Sequence, residues 1–347
     1  MNNNVVLKNL GELQIIRVIE DLIYKKTGKN LIRDDSFFFP FEKKLFNLES
    51  KNFDLIFNSD MLVSSTDVPR QMSYYQIGRK AVLMNISDLV VKGVEPKGLI
   101  VSFGLNKDLK LGNFKELMNG IIDYCIKWDI DYIGGDLNQT DELIINPTVF
   151  GYLERAKIIH RNGLRPGDYL IANGKFGLTG VGFDIILNRK GSINEYPLFK
   201  KSIRSVLEPN DIGREALILS EMNLANSSID SSDGLAKSLT DLLDSNPNSN
   251  IGFEIEFDEK LIDKEVTNYS EKYNIPLEQL VFSGGEEFIH LFTIDPKLFD
   301  PAQNAVQKTG GNLFKIGRVI SEKRIIYTKD NKQIELKSHG YEHFRVL

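Results

Sequence analysis

The sequence predicts an α/β protein built as two layered domains, residues 1–155 and 156–347. Length is the first observation: 347 residues exceed the ~150 typical of one domain, and 41% hydrophobic residues can fill a substantial core in each. The second is an alternation of short apolar runs with segments of helical period through the first half. The third is RNGLRPGD at residues 161–168, whose Gly, Pro and charge suit a junction; strand and helix patterns resume beyond it.

The elements follow in order. Leu10, Leu13, Ile16, Ile19 and Ile23 recur at spacings of three and four, which is one helix face, and Thr27-Gly28 closes it. Residues 53–57 and 61–65 are short, apolar and bounded by Asn, Ser and Asp, as strands are. A helix is predicted over 76–91 with Gly93 as its stop, a strand over 99–103, and a second helix over 114–128. Phe114, Leu117, Ile121 and Cys125 share a face of that second helix, which makes Cys125 a core residue. Tyr132-Ile133 is a strand running into Gly134-Gly135-Asp136, and 143–153 a longer strand. In the second half, 169–172, 251–257, 288–294 and 313–319 read as strands and 211–222 and 233–243 as helices. Residues 174–182 form a Gly-punctuated loop, and 246–250 a polar surface loop. Residues 261–279 are charged, with no settled period.

Charge and cysteine content exclude several classes. There are 48 acidic and 43 basic residues, a net charge of −5, which disfavours nucleic-acid or anionic-membrane partners. A single cysteine excludes an internal disulfide framework and any multi-cysteine zinc site. The N-terminal stretch lacks a leader pattern and no 18-residue apolar run occurs, so a cytoplasmic protein is expected.

The acids are not spread evenly. Asp34-Asp35, Ser65-Thr66-Asp67, Asn85 with Asp88, Gly134-Gly135-Asp136 and Asp230-Ser-Ser-Asp233-Gly234 all sit at predicted strand ends or helix starts. Any one of them is an ordinary cap or turn. Asn85 and Asp88, three apart, project from one helix face, and Ser232 is placed to cap the helix after it. Oxygen ligands without His or Cys favour a hard cation, Mg²⁺ above all, and Mg²⁺ typically shares its coordination with phosphates. The acidic balance therefore points to a polyphosphate brought in with its metal. There is no GxxxxGK[ST] loop, no HRD and no DFG, and Gly174 to Gly180 does not have GxGxxG spacing. The histidines, His160, His290, His339 and His343, are scattered and offer no evident catalytic base.

Nine segments in order resemble the thiamine-monophosphate kinase family: GEL near the start, Asp34-Asp35, SSTD ending at Asp67, NISDLVVKGVEP from Asn85, YIGGD ending at Asp136, HRNGLRPGD from His160, IDSSDGL from Ile229, SGGEEF from Ser283 and GYEHF from Gly340. The resemblance implies a two-domain fold like that of aminoimidazole ribonucleotide synthetase (PurM-like). In it the N-terminal sheet pairs across a homodimer, a mixed α/β domain follows, and ATP with several Mg²⁺ ions lies in the cleft. By position it implies Asp35, Ser65, Thr66, Asp67, Asp88, Asp136, Asp230 and Asp233 as metal ligands. Gly135, Asp136, Arg161 and Ser232 would contact ATP, and Tyr74, Glu286 and Tyr341 thiamine monophosphate. Three positions depart from the family: RDDSFFF stands where GDDAA is usual, Tyr74 where a substrate-contacting His is, and Glu287 where an Asp follows GGE.

The implied reaction is in-line attack of a thiamine monophosphate oxygen on the γ-phosphorus of MgATP, giving thiamine diphosphate and ADP. Asp67, Asp88 and Asp136 would fix the metals, and Arg161 would steady the transferred charge. A phosphate monoester with a second pKa near 6 needs no base. Selenophosphate synthetase and the hydrogenase maturation protein each require a cysteine that this chain lacks at the corresponding place. A synthetase of the aminoimidazole ribonucleotide type and a non-catalytic Mg-nucleotide-binding regulator are the alternatives.

Overall fold

The computed structural model describes residue 5 and residues 12–29, 53–247, 249–329 and 331–336. The chain forms two compact units, Met1–Leu89 with Val94–Ala156, and Val90–Gly93 with Lys157–Leu347. Both are mixed α/β layers.

Unit 1 runs α1 (Glu12–Thr27), β1 (Phe53–Asn58), β2 (Leu62–Val63), α2 (Ser64–Asp67), α3 (Tyr74–Val90), β3 (Pro96–Leu105), α4 (Leu111–Trp128), β4 (Asp131–Gln139) and β5 (Ile144–Glu154). Its sheet has the order β1-β5-β3-β4, with β2 also on β5. Among the described strands of this sheet, β3 and β4 pair in parallel and the others antiparallel. In α1 the buried stripe is Ile15, Val18, Ile19 and Ile23, and the chain leaves the helix at Gly28, as expected. All four residues of the α4 face predicted from spacing are buried, and burial pushes the Cys125 thiol well above its ordinary range, so it is inert core. Helices α3 and α4 meet backbone to backbone. A Cβ on Gly78 would lie 2.1 Å from the Leu117 carbonyl oxygen, and one on Gly120 2.0 Å from that of Tyr75. This contact fixes the helix that carries Asn85 and Asp88.

The strand expected to end at Ile133 continues to Gln139. A bulge at Ile133 lets Gly134, Gly135 and Asp136 pair with Ile100, Val101 and Ser102, so they lie within an edge strand rather than in a loop. Gly135 is required there, since its Cβ would sit 1.8 Å from the Val101 carbonyl oxygen. The segment 61–65 is likewise only briefly extended, turning helical at Ser64.

Unit 2 comprises β6 (Tyr169–Ala172), α5 (Leu178–Phe183), α6 (Lys200–Leu207), α7 (Glu215–Glu221), β7 (Ser227–Ser231), α8 (Leu235–Asp244), β8 (Gly252–Glu256), α9 (Lys264–Tyr273), α10 (Leu277–Phe282), β9 (Ile289–Ile294), α11 (Pro296–Gln307), β10 (Phe314–Ile320), β11 (Ile325–Lys329) and β12 (Lys332–Glu335). The sheet order is β12-β11-β8-β10-β6-β9-β7. Phe253, Ile255, Leu291, Ile229 and Ile316 from its strands pack with Val181, Ile203, Leu239 and Val281 from the helices in one apolar core. The undecided stretch 261–279 resolves into α9, capped by the Asp263 carboxylate accepting from the Glu265 N–H at 3.0 Å, and α10. Ser232 does not cap α8. The N-cap is Gly234, which has no side chain to offer, and Ser232 is exposed.

Candidate active site

In unit 1 the acids are organised by α3. Asn85 is fully buried and its amide is saturated: Nδ2 donates to the Ala81 and Asp60 carbonyls at 2.9 and 3.0 Å, while Oδ1 accepts from the Asp60 N–H at 2.7 Å. The β1–β2 turn is thereby pinned to the helix, with Asp60 brought to Asp88. Asn58 Nδ2 donates to the Asp88 carboxylate at 2.8 Å. Burial first, then the hydrogen bond and charge of Asp88, push the Asp60 carboxyl up to about 7. The two therefore lie carboxyl to carboxyl at the turn that Asn85 pins.

Asp67 is held elsewhere. Its carboxylate accepts from the Val63 N–H at 2.6 Å, and its carbonyl from Lys80 Nζ at 2.7 Å. Asp60, which the sequence reading missed, is thus the acid that meets Asp88. The signal was present: Asn58-Ser59-Asp60 ends a predicted strand just as SSTD does. Ser65 and Thr66 are exposed on α2, and Ser65, through its side chain first and then its N–H at 3.0 Å, holds the Glu142 carboxyl below its ordinary range. Tyr74 opens α3, half-buried, and Gly135 and Asp136 are exposed on β4.

In unit 2 two loops interlock. The Glu286 N–H donates to the Ser232 carbonyl at 2.6 Å and the Phe288 N–H to that of Ser231 at 3.0 Å, so SGGEEF is fastened to IDSSDG. Glu286 and Phe288 have φ of 61° and 50°, a strained pair of the kind found where a site over-determines its backbone. Glu287 points inward. Its carboxyl accepts from the Gly177 N–H at 2.7 Å, and burial pushes it up to about 8. Asp230 is buried on β7, directly across from His290 on β9, and Asp233 is half-buried. Burial, with Lys92 adding to it, pushes His290 down to about 3, so the imidazole is neutral. Arg161 is exposed, and its carbonyl accepts from Asn246 Nδ2 at 3.2 Å. Asp35 and Tyr341 lie outside the described residues.

Among the described residues, no three His, Cys, Asp or Glu side chains converge on one point. The acids come instead as a pair in unit 1 and as neighbours on one loop in unit 2. The close Asp60–Asp88 pair is the arrangement that fits a divalent cation, because a cation between the two would satisfy both carboxylates. No described helix is long and apolar enough to cross a membrane.

Residues 42–153 match the family model described as AIR synthase related protein, N-terminal domain. The thiamine-monophosphate kinase of Nitrosopumilus maritimus (strain SCM1) is 31% identical over 312 residues, covering 88% of this chain and 96% of that one. Among solved structures, AaThiL complexed with AMPPCP and TMP superposes with a TM-score of 0.70 at 27% identity, over 98% of this chain and 99% of that one. E. coli HypE, a hydrogenase maturation protein, superposes at 0.74 with 17% identity over 96% and 99%, a likeness of fold alone.

Proposed function

The chain belongs to the thiamine-monophosphate kinase family, and from that premise we propose how its own residues carry out the reaction. It is a kinase that uses ATP to phosphorylate thiamine monophosphate to thiamine diphosphate. Asp60 and Asp88 would hold Mg²⁺ in unit 1, with Asp136, Ser65, Thr66 and Asp67 on neighbouring elements and Asp35 before them; Asp230 and Asp233 would hold it in unit 2. The close approach of the Asp60 and Asp88 carboxyls, fixed by Asn85 and Asn58, carries this assignment. When bound, Mg²⁺ supplies the charge neutralisation that a polyphosphate needs as its γ-group departs.

The remaining work belongs to the protein. The exposed β4 backbone at Gly135 would face a nucleotide, and Ser232 and the Arg161 guanidinium would offer donors to its phosphates. Glu286, in its strained conformation, with Tyr74 and Tyr341, orients thiamine monophosphate so that its phosphate oxygen lies in line with the γ-phosphorus. The nucleophile is already ionised near pH 7 and no side chain removes a proton from it. A cytoplasmic setting, where ATP is abundant, suits this reaction.

A homodimer is part of the proposal. On the sheet of unit 1, Leu55, Phe57, Phe150 and Ile100 share one face by register, and three of them are exposed, Leu55 by 46%, Phe57 by 59% and Ile100 by 38%. A contiguous apolar sheet face of this kind suits a second copy of the same face.

Incubating the protein with ATP, Mg²⁺ and thiamine monophosphate and separating the products by chromatography tests the assignment. Thiamine diphosphate is expected from the native chain, with Asp60→Asn and Asp88→Asn at least about 100-fold slower and still folded, and Asp67→Asn less impaired than either. Full activity in Asp88→Asn would remove the metal assignment.

A further inference from the structure

Lys80, on α3, is only 1% exposed. A lysine brings N–H donors and no acceptor, so burying it is costly unless oxygens receive those donors. Its Nζ donates to the Asp67 carbonyl at 2.7 Å. We propose that Lys80 is a positioning residue for the Ser64–Asp67 turn, fixing it to the helix that carries Asp88; this rests on the assignment of Ser65, Thr66 and Asp67 to Mg²⁺. The last four carbonyls of a helix have no partner within it, and α2 has only four residues. Lys80 takes up the carbonyl of Asp67 itself.

The turn is held at several points. The Asp67 carboxylate accepts from the Val63 N–H at 2.6 Å, which closes the turn on itself. The Ser64 N–H donates to the Leu143 carbonyl at 2.9 Å and the Ser65 N–H to the Glu142 carboxylate at 3.0 Å, which fasten it to the approach to β5. Lys80 fastens it to α3. Five residues along the same helix, the buried Asn85 does the same for the β1–β2 turn, donating to the Asp60 carbonyl at 3.0 Å and accepting from the Asp60 N–H at 2.7 Å. One helix thus carries Asp88 and, through two buried polar side chains, sets the segments that bear Asp60 and Asp67. Mg²⁺ demands near-octahedral ligands, so segments that supply them must keep their register, and that is the work of the residues behind the ligands.

Mn²⁺ titrated into the full-length protein, with bound ion followed by electron paramagnetic resonance, tests the proposal in native chain, Lys80→Met, Lys80→Gln and Asp67→Asn. Lys80→Met, which keeps the length of the side chain and removes its donors, is expected to weaken Mn²⁺ binding about tenfold and to raise the Mg²⁺ needed for half-maximal activity, with kcat at saturating Mg²⁺ within about twofold. A lysine that served packing alone would change stability in urea and leave the metal requirement where it was. Native affinity in folded Lys80→Met beside a weakened Asp67→Asn therefore overturns the role of Lys80 alone. Native affinity in Asp67→Asn overturns the assignment of Asp67 itself, and with it the premise. Should circular dichroism show Lys80→Met unfolded, Lys80→Gln, whose donor sits one bond short, decides: severalfold weaker binding supports the proposal and native affinity overturns it.

Discussion

Among the described acids, Asp60 and Asp88 stand out by lying carboxyl to carboxyl, with burial and then Asp88 pushing Asp60 up to about 7. Asn85 and Asp88 were legible because a spacing of three within a helix puts both on one face. Asp60 was not, because what brings it to Asp88 is tertiary: the buried Asn85 amide grips the Asp60 backbone. Glu287 is a second case in which burial decides chemistry. Its folded pKa, about 8, lies above its unfolded value near 4.5, so its stabilising contribution is complete below the unfolded value and is lost as pH rises through the folded one. Stability of the native chain relative to Glu287→Gln is expected to fall between pH 4.5 and 8, by at most about 1.4 kcal/mol per pH unit. Urea unfolding of both proteins across that range checks it, and parallel curves would mean that Glu287 keeps an ordinary pKa.

At the scale of elements, amphipathic segments were read well and polar ones were not. The face of α4 and the strands β3, β5, β6 and β10 followed from apolar period alone. β7 escaped because Ser227-Ser-Ile-Asp-Ser231 looks like a turn; all five residues are buried, and their backbone pairs with β9 and the flanking loops. β4 was cut short for a related reason: glycines at 134 and 135 signal a turn locally, while pairing with β3 demands them in the strand. The α3–α4 crossing depends on Gly78 and Gly120. Gly120→Ala would drive a methyl into the Tyr75 carbonyl, and a loss of about 1–3 kcal/mol is expected in chemical denaturation. Because α3 carries Asp88 and Asn85, activity should fall more than stability alone accounts for. A variant as stable and active as the native chain would mean that the helices can separate without disturbing the site.

For the whole molecule, order and spacing of nine short motifs over nearly the full length were more informative than any one of them, since each taken singly is an ordinary cap or turn. The exposed apolar face of the unit 1 sheet bears on assembly. Sedimentation at micromolar concentration is expected to give a dimer for the native chain and a monomer for Leu55→Glu with Phe57→Glu, a pair of changes outside the core. A native monomer would refute pairing through this face. The most direct measurement of the central claim follows the fate of the γ-phosphoryl group. With γ-labelled ATP, Mg²⁺ and thiamine monophosphate, the label is expected at the β-position of thiamine diphosphate, one for each ADP formed, and to be lost when Asp60 and Asp88 are both replaced by Asn. Label found only in inorganic phosphate, or transferred as fast by the doubly substituted protein, would contradict it.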